Sequence, residues 1–191
     1  MGRLFALIGI PRSGKSTFCN DWLSKRISVL KPLGIVSSYR KPHNITDYDG
    51  IVYHENMGEQ TPRVLVCADK IRLSMGHRWN SNVEDYVSAV KNTMIKTLLQ
   101  DHDTICDGTH TTIGSIKKLL TLDPDAQFVL IDTPVEVCKQ RAIATGQEDL
   151  LPVIDRMAKQ LDSIRDGLLD GSLLQKLRAE VMELKKYDRI V

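Results

Sequence analysis

The stretch "GIPRSGKST", residues 9–17, decides how the fold of this chain is predicted. It matches the pattern G-x-x-x-x-G-K-[ST], whose backbone amide groups surround a polyphosphate in a tight turn. Gly9 and Gly14 permit that turn at positions where a Cβ atom would clash. Lys15 would reach the outer phosphates and the Ser16 hydroxyl would bind Mg²⁺, while the following helix directs its positive end at the anion. The predicted phosphate-binding residues are Gly9, Pro11, Arg12, Ser13, Gly14, Lys15, Ser16 and Thr17.

The segments on either side of this loop are those that the pattern requires. Residues 4–8 (LFALI) form a short apolar run that is typical of a buried parallel strand. Residues 16–29 have the apolar spacing of a helix through Phe18, Trp22 and Ile27. The order of strand, glycine-rich turn and helix therefore favours a phosphate loop over a chance match.

The composition predicts one globular domain over residues 1–191, which is enough chain for a substantial core but too little for two ordinary domains. With 26% charged and 42% hydrophobic residues, the chain is typical of a folded soluble protein. The net charge of +2 neither requires nor excludes a nucleic-acid partner. No apolar run approaches membrane-spanning length and no signal peptide is recognisable, so we expect a cytoplasmic protein with no membrane partner.

The cysteines are widely spaced, lie in apolar segments and form no C-x-x-C pair. This arrangement favours buried free thiols over a zinc site or disulfides. The residues concerned are Cys19, Cys67, Cys106 and Cys138.

A turn-rich segment over residues 31–63 follows the first predicted helix and is expected to hold a strand or a hairpin. Loops of this length are often functional, although a tolerated insertion is an equal alternative. Residues 63–67 form a second buried strand, and Ser81 with Glu84 form a capping box at the start of a long helix. The apolar face of that helix is predicted to contain Val83, Val87, Val90, Met94 and Leu98.

The remaining segments alternate between strand and helix. Strands are predicted at residues 103–107 and 127–131, a helix at 113–122, and another helix beginning near Pro134. This alternation predicts an α/β fold in three layers, with a mostly parallel sheet between helices. Together with the phosphate loop it predicts the P-loop NTPase fold.

Polar side chains follow the ends of three predicted strands. Asp69 and Arg72 come after the strand at 63–67, Asp107 ends the next strand, and Asp132 follows the last one. Ligands of such sheets bind outside the carboxyl ends of the strands. We therefore expect these side chains in one crevice beside the phosphate loop.

A carboxylate and an arginine beside a phosphate loop fit the transfer of a phosphoryl group to a hydroxyl. Asp69 is the candidate that orients the hydroxyl and accepts its proton. Arg72, three residues later on the same helical face, is the candidate for binding phosphate. Asp107 either holds Arg72 in a bidentate pair or joins the Mg²⁺ shell through water, and the residues leave both roles open.

Two aromatic side chains near this crevice have two interpretations each. His110 either contacts phosphate or is a hydrogen-bonded structural histidine. Trp79, beside Arg78, either stacks on a base or packs at the start of the long helix, with packing favoured.

The motifs "GIPRSGKST", "ADKIRLSMGHRW", "DGTHTT" and "DTPVEVCKQRAIATG" follow one another in an order that resembles the P-loop kinase family of the phage polynucleotide kinases. Those enzymes phosphorylate 5′-hydroxyl ends of DNA or RNA, and the resemblance covers about residues 3–165. It implies a kinase-like fold with a helical lid, and ATP and Mg²⁺ bound at Lys15 and Ser16. It also implies Asp69 as the base, Arg72 for the acceptor phosphate and Asp107 as the support for Arg72.

The sequence departs from the family pattern in two places. The family has a lid arginine just before a glycine, but here Thr145 precedes Gly146. Arg141, which heads the same segment, is preferred over Arg156 as its catalytic replacement. The segment at residues 31–63 is longer than the family's usual connection, and we expect it near the acceptor site.

The last part of the chain is predicted to be helical. Residues 146–165 would form the lid, whose apolar face is interpreted as ordinary packing. Residues 172–186 would form a C-terminal helix that packs on the core in preference to forming a dimer, so the oligomeric state stays open.

The preferred function is ATP-dependent phosphorylation of a 5′-hydroxyl of a polynucleotide, DNA or RNA. The same motifs occur in kinases of nucleosides, nucleotides or other small molecules, and in phage enzymes that phosphorylate hydroxymethylated bases in DNA. A nucleotide-binding ATPase without an acceptor is the least favoured alternative, because it needs no base such as Asp69.

Overall fold

The computed structural model describes residues 1–24, 27–29, 31–37, 48–49, 51–53, 61–77 and 81–187. Among these residues the strands are β1 (Leu4–Ile8), β2 (Ile27–Val29), β3 (Leu33–Ser37), β4 (Tyr48–Asp49), β5 (Ile51–Tyr53), β6 (Arg63–Cys67), β7 (Asp103–Asp107) and β8 (Gln127–Asp132). The helices are α1 (Lys15–Leu23), α2 (Ala68–Ser74), α3 (Glu84–Leu98), α4 (Ile113–Leu122), α5 (Val135–Ile143), α6 (Leu151–Leu169) and α7 (Ser172–Tyr187). Short 3₁₀ turns precede α3 and α6, at Ser81–Val83 and Glu148–Leu150.

The central sheet has the strand order β4-β3-β8-β1-β7-β6. Strands β3, β8, β1, β7 and β6 are all parallel, and β4 is antiparallel to β3 at one edge. The central strand β1 pairs with two strands that come much later in the chain, as Leu4 is opposite Thr104 and Phe5 opposite Gln127. The predicted α/β class is confirmed, and the carboxyl ends of the parallel strands lie at one end of the sheet.

Successive residues of β1 point to opposite faces of the sheet, as the pleat requires. Leu4, Ala6 and Ile8 belong to a large core that also contains side chains of α2 through α7. Phe5 and Leu7 belong to a second core on the other face, with α1 and the antiparallel pair β2–β5. The sheet is therefore the middle of three layers. The four cysteines are free thiols, as predicted.

The first helix is shorter than predicted. A helical pattern was expected over residues 16–29, but α1 ends at Leu23 and residues 27–29 form β2. Ile27 and Val29 are β-branched, which favours a strand, and both are buried where β2 pairs with β5. A short apolar segment fits both periodicities, so its long-range partner decides its structure.

The capping box predicted at Ser81 and Glu84 is wrong. No side-chain hydrogen bond caps α3, and the Glu84 carboxylate is bound to Arg72 instead. A hydrogen bond between two charged groups is stronger than one to a neutral amide, so the arginine takes the carboxylate.

The buried face of α3 is also rotated from the predicted one. Val87 and Ile95 are buried, whereas Val90 and Met94 are 40% and 38% exposed. The spacing of the apolar residues on α3 fits more than one face, and packing against β6 and β7 selects one of them.

Helices α6 and α7 pack against the large core. The buried residues of α6 are Ile154, Ala158, Leu161, Ile164 and Leu168. Leu174, Leu177 and Val181 of α7 lie in the same core, which confirms packing for both apolar faces. The lid over residues 146–165 stays a prediction. Around its predicted start, residues 143–149 are all exposed. Among the described helices, none combines the length and apolar character needed to span a membrane.

The segment at residues 31–63 contributes strands to the opposite edge of the sheet from the predicted acceptor site. Strand β3 pairs with β8, and β4 pairs with β3 at that edge, whereas β6, which leads to Asp69, is at the other edge. The expectation that this segment lies near the acceptor site stays a prediction, because more than half of it is outside the described residues. Residues 38–47 and 54–60, and also Arg78 and Trp79, lie outside the described residues.

Candidate active site

The phosphate loop connects β1 to α1 through backbone conformations that its sequence permits. Gly14 has a φ of 109° and Arg12 a φ of 66°, both in the left-handed region. A Cβ atom on Gly9 would lie 2.9 Å from the Ser13 Oγ and 3.0 Å from the Ile131 carbonyl oxygen, so glycine is required there. The backbone between β1 and α1 is therefore compatible with the predicted phosphate loop, and the binding of phosphate there stays a prediction.

Two polar atoms of this loop are buried and lack a hydrogen-bond partner within the described part of the chain. They are the Ser13 Oγ and the Arg12 Nε. A buried polar atom without a partner costs about 1–3 kcal/mol, and a bound ligand or water would remove that cost. Pro11 is half-buried, while Ser16 and Thr17 are exposed in the first turn of α1.

Lys15 is buried at the start of α1, and its Nζ donates to the carbonyl oxygen of Ile10 at 2.7 Å. Burial lowers the pKa of Lys15, and the nearby carboxylates of Asp107 and Asp69 oppose that shift. A phosphate group would stabilise the charged ammonium in the same way as these carboxylates do. Lys15 is therefore placed to bind an anion held by the loop.

Ser16 and Asp107 bring two oxygen atoms together beside the loop. The Ser16 Oγ donates to the Asp107 Oδ2 at 3.1 Å. Burial raises the pKa of Asp107, while Lys15 and the hydrogen bond from Ser16 lower it. A hydroxyl and a carboxylate fit Mg²⁺, which binds one or two protein oxygens and completes its shell with water and phosphate. Among the described residues no cluster of three or more His, Cys, Asp or Glu has metal-binding geometry.

Arg72 is buried on α2 and is held by two carboxylates. Glu84 accepts from its Nε at 2.7 Å and its Nη2 at 2.8 Å, and Asp69 accepts from its Nη1 at 2.6 Å. The hydrogen bonds to Glu84 raise the pKa of Arg72 further, and the same bonds lower the pKa of Glu84. The two carboxylates therefore fix the orientation of the Arg72 guanidinium and stabilise its protonated form.

The bidentate partner of Arg72 is thus Glu84, which corrects the expectation that Asp107 has this role. Sequence reasoning missed Glu84 because it assigned that carboxylate to a helix cap. A buried arginine requires a carboxylate, and Glu84 is the first one after Arg72 in the sequence. Asp69, one turn before Arg72, has a side chain that is 83% exposed. Its carboxylate is therefore accessible from the solvent.

The loop also contacts the end of α5. The Nη2 of Arg12 donates to the Thr145 Oγ1 and, at 3.5 Å, to the Arg141 carbonyl oxygen. In return the Nη1 of Arg141 donates to the Arg12 carbonyl oxygen at 3.0 Å. Arg156, the other predicted replacement for a lid arginine, is exposed on α6.

His110 is a structural histidine in this structure. Its ring is buried, and its Nδ1 donates to the Leu7 carbonyl oxygen at 2.8 Å. Burial lowers the pKa of His110 to about 4, so the ring is neutral near pH 7. The preceding residue, Thr109, accepts a hydrogen bond from the Gly9 amide at 2.9 Å, so this segment supports the base of the phosphate loop.

A cavity of about 360 Å³ opens on the other side of the loop, at the ends of β8 and β3. Asp132 accepts a short hydrogen bond from the Nη2 of Arg165, which comes from α6. Sequence reasoning missed Arg165, because only the fold brings α6 to this strand end. The lining residues include Ile10, Ser37, Asp132, Pro134, Asp162 and Arg165.

These features define the class of the fold: a three-layer α/β fold of the P-loop kinase type. The structure brings Lys15, Ser16, Asp107, Asp69 and Arg72 to neighbouring strand ends, while Asp132 lies on the far side of the loop. No protein-family model matches the chain, and no curated protein matches its sequence.

Solved structures with this fold include a chain of the Pnkp1/Rnl/Hen1 RNA repair complex. That chain has a TM-score of 0.62 and 18% sequence identity over 86% of the present chain. A chain in a second structure of the Pnkp1/Rnl/Hen1 complex has a TM-score of 0.51 and 20% identity over 73% of it. The matched regions cover only 45% and 39% of those two chains. Similarity at this level of identity establishes the fold.

Proposed function

We propose that the protein is an ATP-dependent phosphotransferase whose acceptor is a 5′-hydroxyl of a polynucleotide. One observation carries the proposal: an exposed carboxylate, Asp69, and a buried arginine, Arg72, follow the end of β6. That strand end pairs with the end of β7, where Asp107 accepts a hydrogen bond from Ser16. A protein that only hydrolyses a nucleotide requires no second pair of this kind, whereas transfer to an alcohol does.

The donor side of the proposed reaction consists of the phosphate loop and the Mg²⁺ ligands. The loop amides and Lys15 would bind the β- and γ-phosphates of ATP, and Ser16 with Asp107 would hold Mg²⁺, with Asp107 acting through water. Bound there, Mg²⁺ would neutralise charge on the phosphates. The cavity next to Asp132 is adjacent to the loop and is large enough to hold the base and sugar of the donor.

The acceptor side consists of Asp69 and Arg72. In the proposed step the acceptor hydroxyl oxygen bonds to the γ-phosphorus, and the bond from that phosphorus to the bridging oxygen of ADP breaks. The hydroxyl proton goes to the Asp69 carboxylate, which the Nη1 of Arg72 holds in place. Glu84 keeps the guanidinium oriented, so the base and the arginine act as one unit.

A polynucleotide is the preferred acceptor because the carboxylate of Asp69 is accessible. With 83% of its side chain exposed at the β6 edge of the sheet, it can meet a chain end whose remainder stays outside the protein. The structural similarity to a chain of an RNA repair complex supports the same choice.

The deciding experiment is transfer of label from γ-labelled ATP with Mg²⁺. The acceptors are 5′-hydroxyl DNA, 5′-hydroxyl RNA, DNA with hydroxymethylated pyrimidines, free nucleosides and nucleotides. We expect label on an oligonucleotide with wild-type protein, loss of it with Asp69→Asn, and retention with Asp125→Asn. Asp125 is an exposed aspartate just before β8, at the opposite end of the sheet, and is therefore a matched control.

Each other result has a defined meaning. Label only on a nucleoside or nucleotide would make the protein a small-molecule kinase. Label only on hydroxymethylated DNA would make it a base kinase. Release of phosphate to water alone, unchanged in Asp69→Asn, would overturn the proposal.

A further inference from the structure

Arg12 joins the phosphate loop to the end of α5 through neutral oxygen atoms. Its Nη2 donates to the hydroxyl of Thr145 and, at 3.5 Å, to the carbonyl oxygen of Arg141. Thr145 can accept this bond because its own hydroxyl proton goes to a helix carbonyl, that of Arg141 at 2.9 Å or Ala142 at 3.0 Å. The Arg12 guanidinium is thus held where the exposed segment after α5 begins.

Two other arginines around the site are bound to carboxylates. Arg72 is bound by Glu84 and Asp69, and Arg165 is bound by Asp132. A guanidinium bound to carboxylates has already lost much of its ability to neutralise a further anion. Within the described residues, Arg12 has no carboxylate partner, and its Nε lacks any partner although it is buried.

The backbone of Arg12 also carries a cost. Its φ of 66° is left-handed, a conformation that costs a residue with a Cβ about 1–2 kcal/mol and a glycine almost nothing. The Nη1 of Arg141 stabilises this conformation by donating to the Arg12 carbonyl oxygen at 3.0 Å. A strained residue that a neighbour holds in place, where glycine would be cheaper, indicates that the side chain has a function.

We propose that Arg12 is the catalytic arginine that contacts the transferring γ-phosphate, and that Arg141 is a positioning residue that holds its backbone. This inference rests on the proposed kinase function and replaces Arg141 as the predicted catalytic arginine. As the phosphoryl group is transferred, the Arg12 guanidinium exchanges the Thr145 hydroxyl for the equatorial phosphate oxygens, a stronger charge-assisted contact that is absent while ATP is only bound. The Arg12 guanidinium then stabilises the negative charge on the equatorial oxygens of the transferring phosphoryl group.

The test compares wild-type protein with Arg12→Gly, and with Lys118→Ala as a variant that loses an exposed cation on α4. We expect kcat of Arg12→Gly to fall about 10³-fold or more while the Kd for ATP with Mg²⁺ changes less than about threefold. ADP with aluminium fluoride, which mimics the transferring phosphoryl group, should bind wild-type protein tightly and Arg12→Gly weakly. Thermal unfolding should show no loss of stability, since glycine relieves the left-handed strain.

A double variant transfers the arginine from position 12 to position 145, its contact partner. Because the Arg12 guanidinium lies against Thr145, the double variant Arg12→Gly, Thr145→Arg should recover at least about tenfold of the lost kcat. A purely structural role for Arg12 would not be restored in this way.

The outcomes that would overturn the inference are distinct from those that would overturn the proposed function. Active wild-type protein with equally active Arg12→Gly would refute the catalytic role of Arg12 alone. Weakened ATP binding in Arg12→Gly, with no recovery in the double variant, would assign Arg12 to nucleotide binding and also refute it. Wild-type protein that transfers phosphate to no acceptor would refute the kinase function and this inference together.

Discussion

The carboxylate of Glu84 on α3 holds the guanidinium of Arg72 on α2 by two hydrogen bonds of 2.7 and 2.8 Å. This pair connects two helices and fixes the arginine that stands beside Asp69. Because Arg72 is buried, the contact contributes to stability as well as to the geometry of the site.

Glu84→Gln should therefore affect both properties. The amide cannot balance the buried charge, so we expect a loss of about 1–3 kcal/mol in the free energy of unfolding. A looser Arg72 should raise KM for the acceptor more than KM for ATP. Urea denaturation and steady-state kinetics measure the two effects, and Asp85→Asn, the next acid in the first turn of α3, is the matched control. If KM for the acceptor were unchanged in Glu84→Gln, the orientation of Arg72 would have no role in acceptor binding.

Asp69→Asn should abolish transfer without loss of the fold. The amide cannot accept the hydroxyl proton, so we expect kcat to fall about 10²–10⁴-fold. Binding of ATP with Mg²⁺ should persist, because the phosphate loop is unchanged. Single-turnover kinetics and nucleotide titration check this expectation, and a variant that retains more than a tenth of wild-type kcat would contradict the role of Asp69 as base.

Ser16→Ala should raise the Mg²⁺ concentration needed for half-maximal activity. The substitution removes the hydroxyl that donates to Asp107 and that is proposed to bind the ion. We expect a shift of at least about tenfold, with saturation still possible at high Mg²⁺. Ser16→Thr keeps the hydroxyl and should stay near the wild-type value. Equal Mg²⁺ requirements for all three proteins would exclude Ser16 as a ligand.

Burial of the His110 ring should make the folded protein less stable at acid pH. Its pKa is lowered to about 4 in the folded protein, so below pH 6.5 the unfolded state binds the proton first. This contribution to stability is fully present above pH 6.5 and is lost as pH falls toward 4, by at most about 3 kcal/mol.

His110→Asn should lack this pH-dependent loss. Asparagine tolerates the φ of 43° at this position, and its side-chain amide can donate to the Leu7 carbonyl oxygen. Urea denaturation at a series of pH values between 4 and 8 measures the difference, with the exposed His77→Asn as control. Parallel curves for wild type and His110→Asn would show that His110 does not cause the loss.

The phosphate loop and the strand ends could be predicted from the sequence because both depend on local patterns. Gly9, Gly14 and Lys15 have fixed spacing, and the strand that ends at Cys67 is a short apolar run. The strand that ends at Asp107 is the short segment between two predicted helices. The fold rule for parallel sheets then places their carboxyl ends together.

The errors arise where a distant partner decides the structure. Ile27 belongs to a strand because β5 pairs with β2. Glu84 does not cap its helix because its carboxylate is bound to the buried Arg72. The contact of Arg12 with Thr145 joins residues that are far apart in sequence, so no local pattern predicts it. Tertiary contacts outweigh local preference at each of these positions.

The position of β1 between β7 and β8 has a consequence for biosynthesis. Both neighbours of β1 are translated about a hundred or more residues after it, so the loop that follows β1 has no sheet to hold it while the first half of the chain emerges from the ribosome. High sequence separation of this kind slows folding. We expect nascent chains stopped before residue 127 to remain protease-sensitive, and ATP to protect the loop only once β8 has been made.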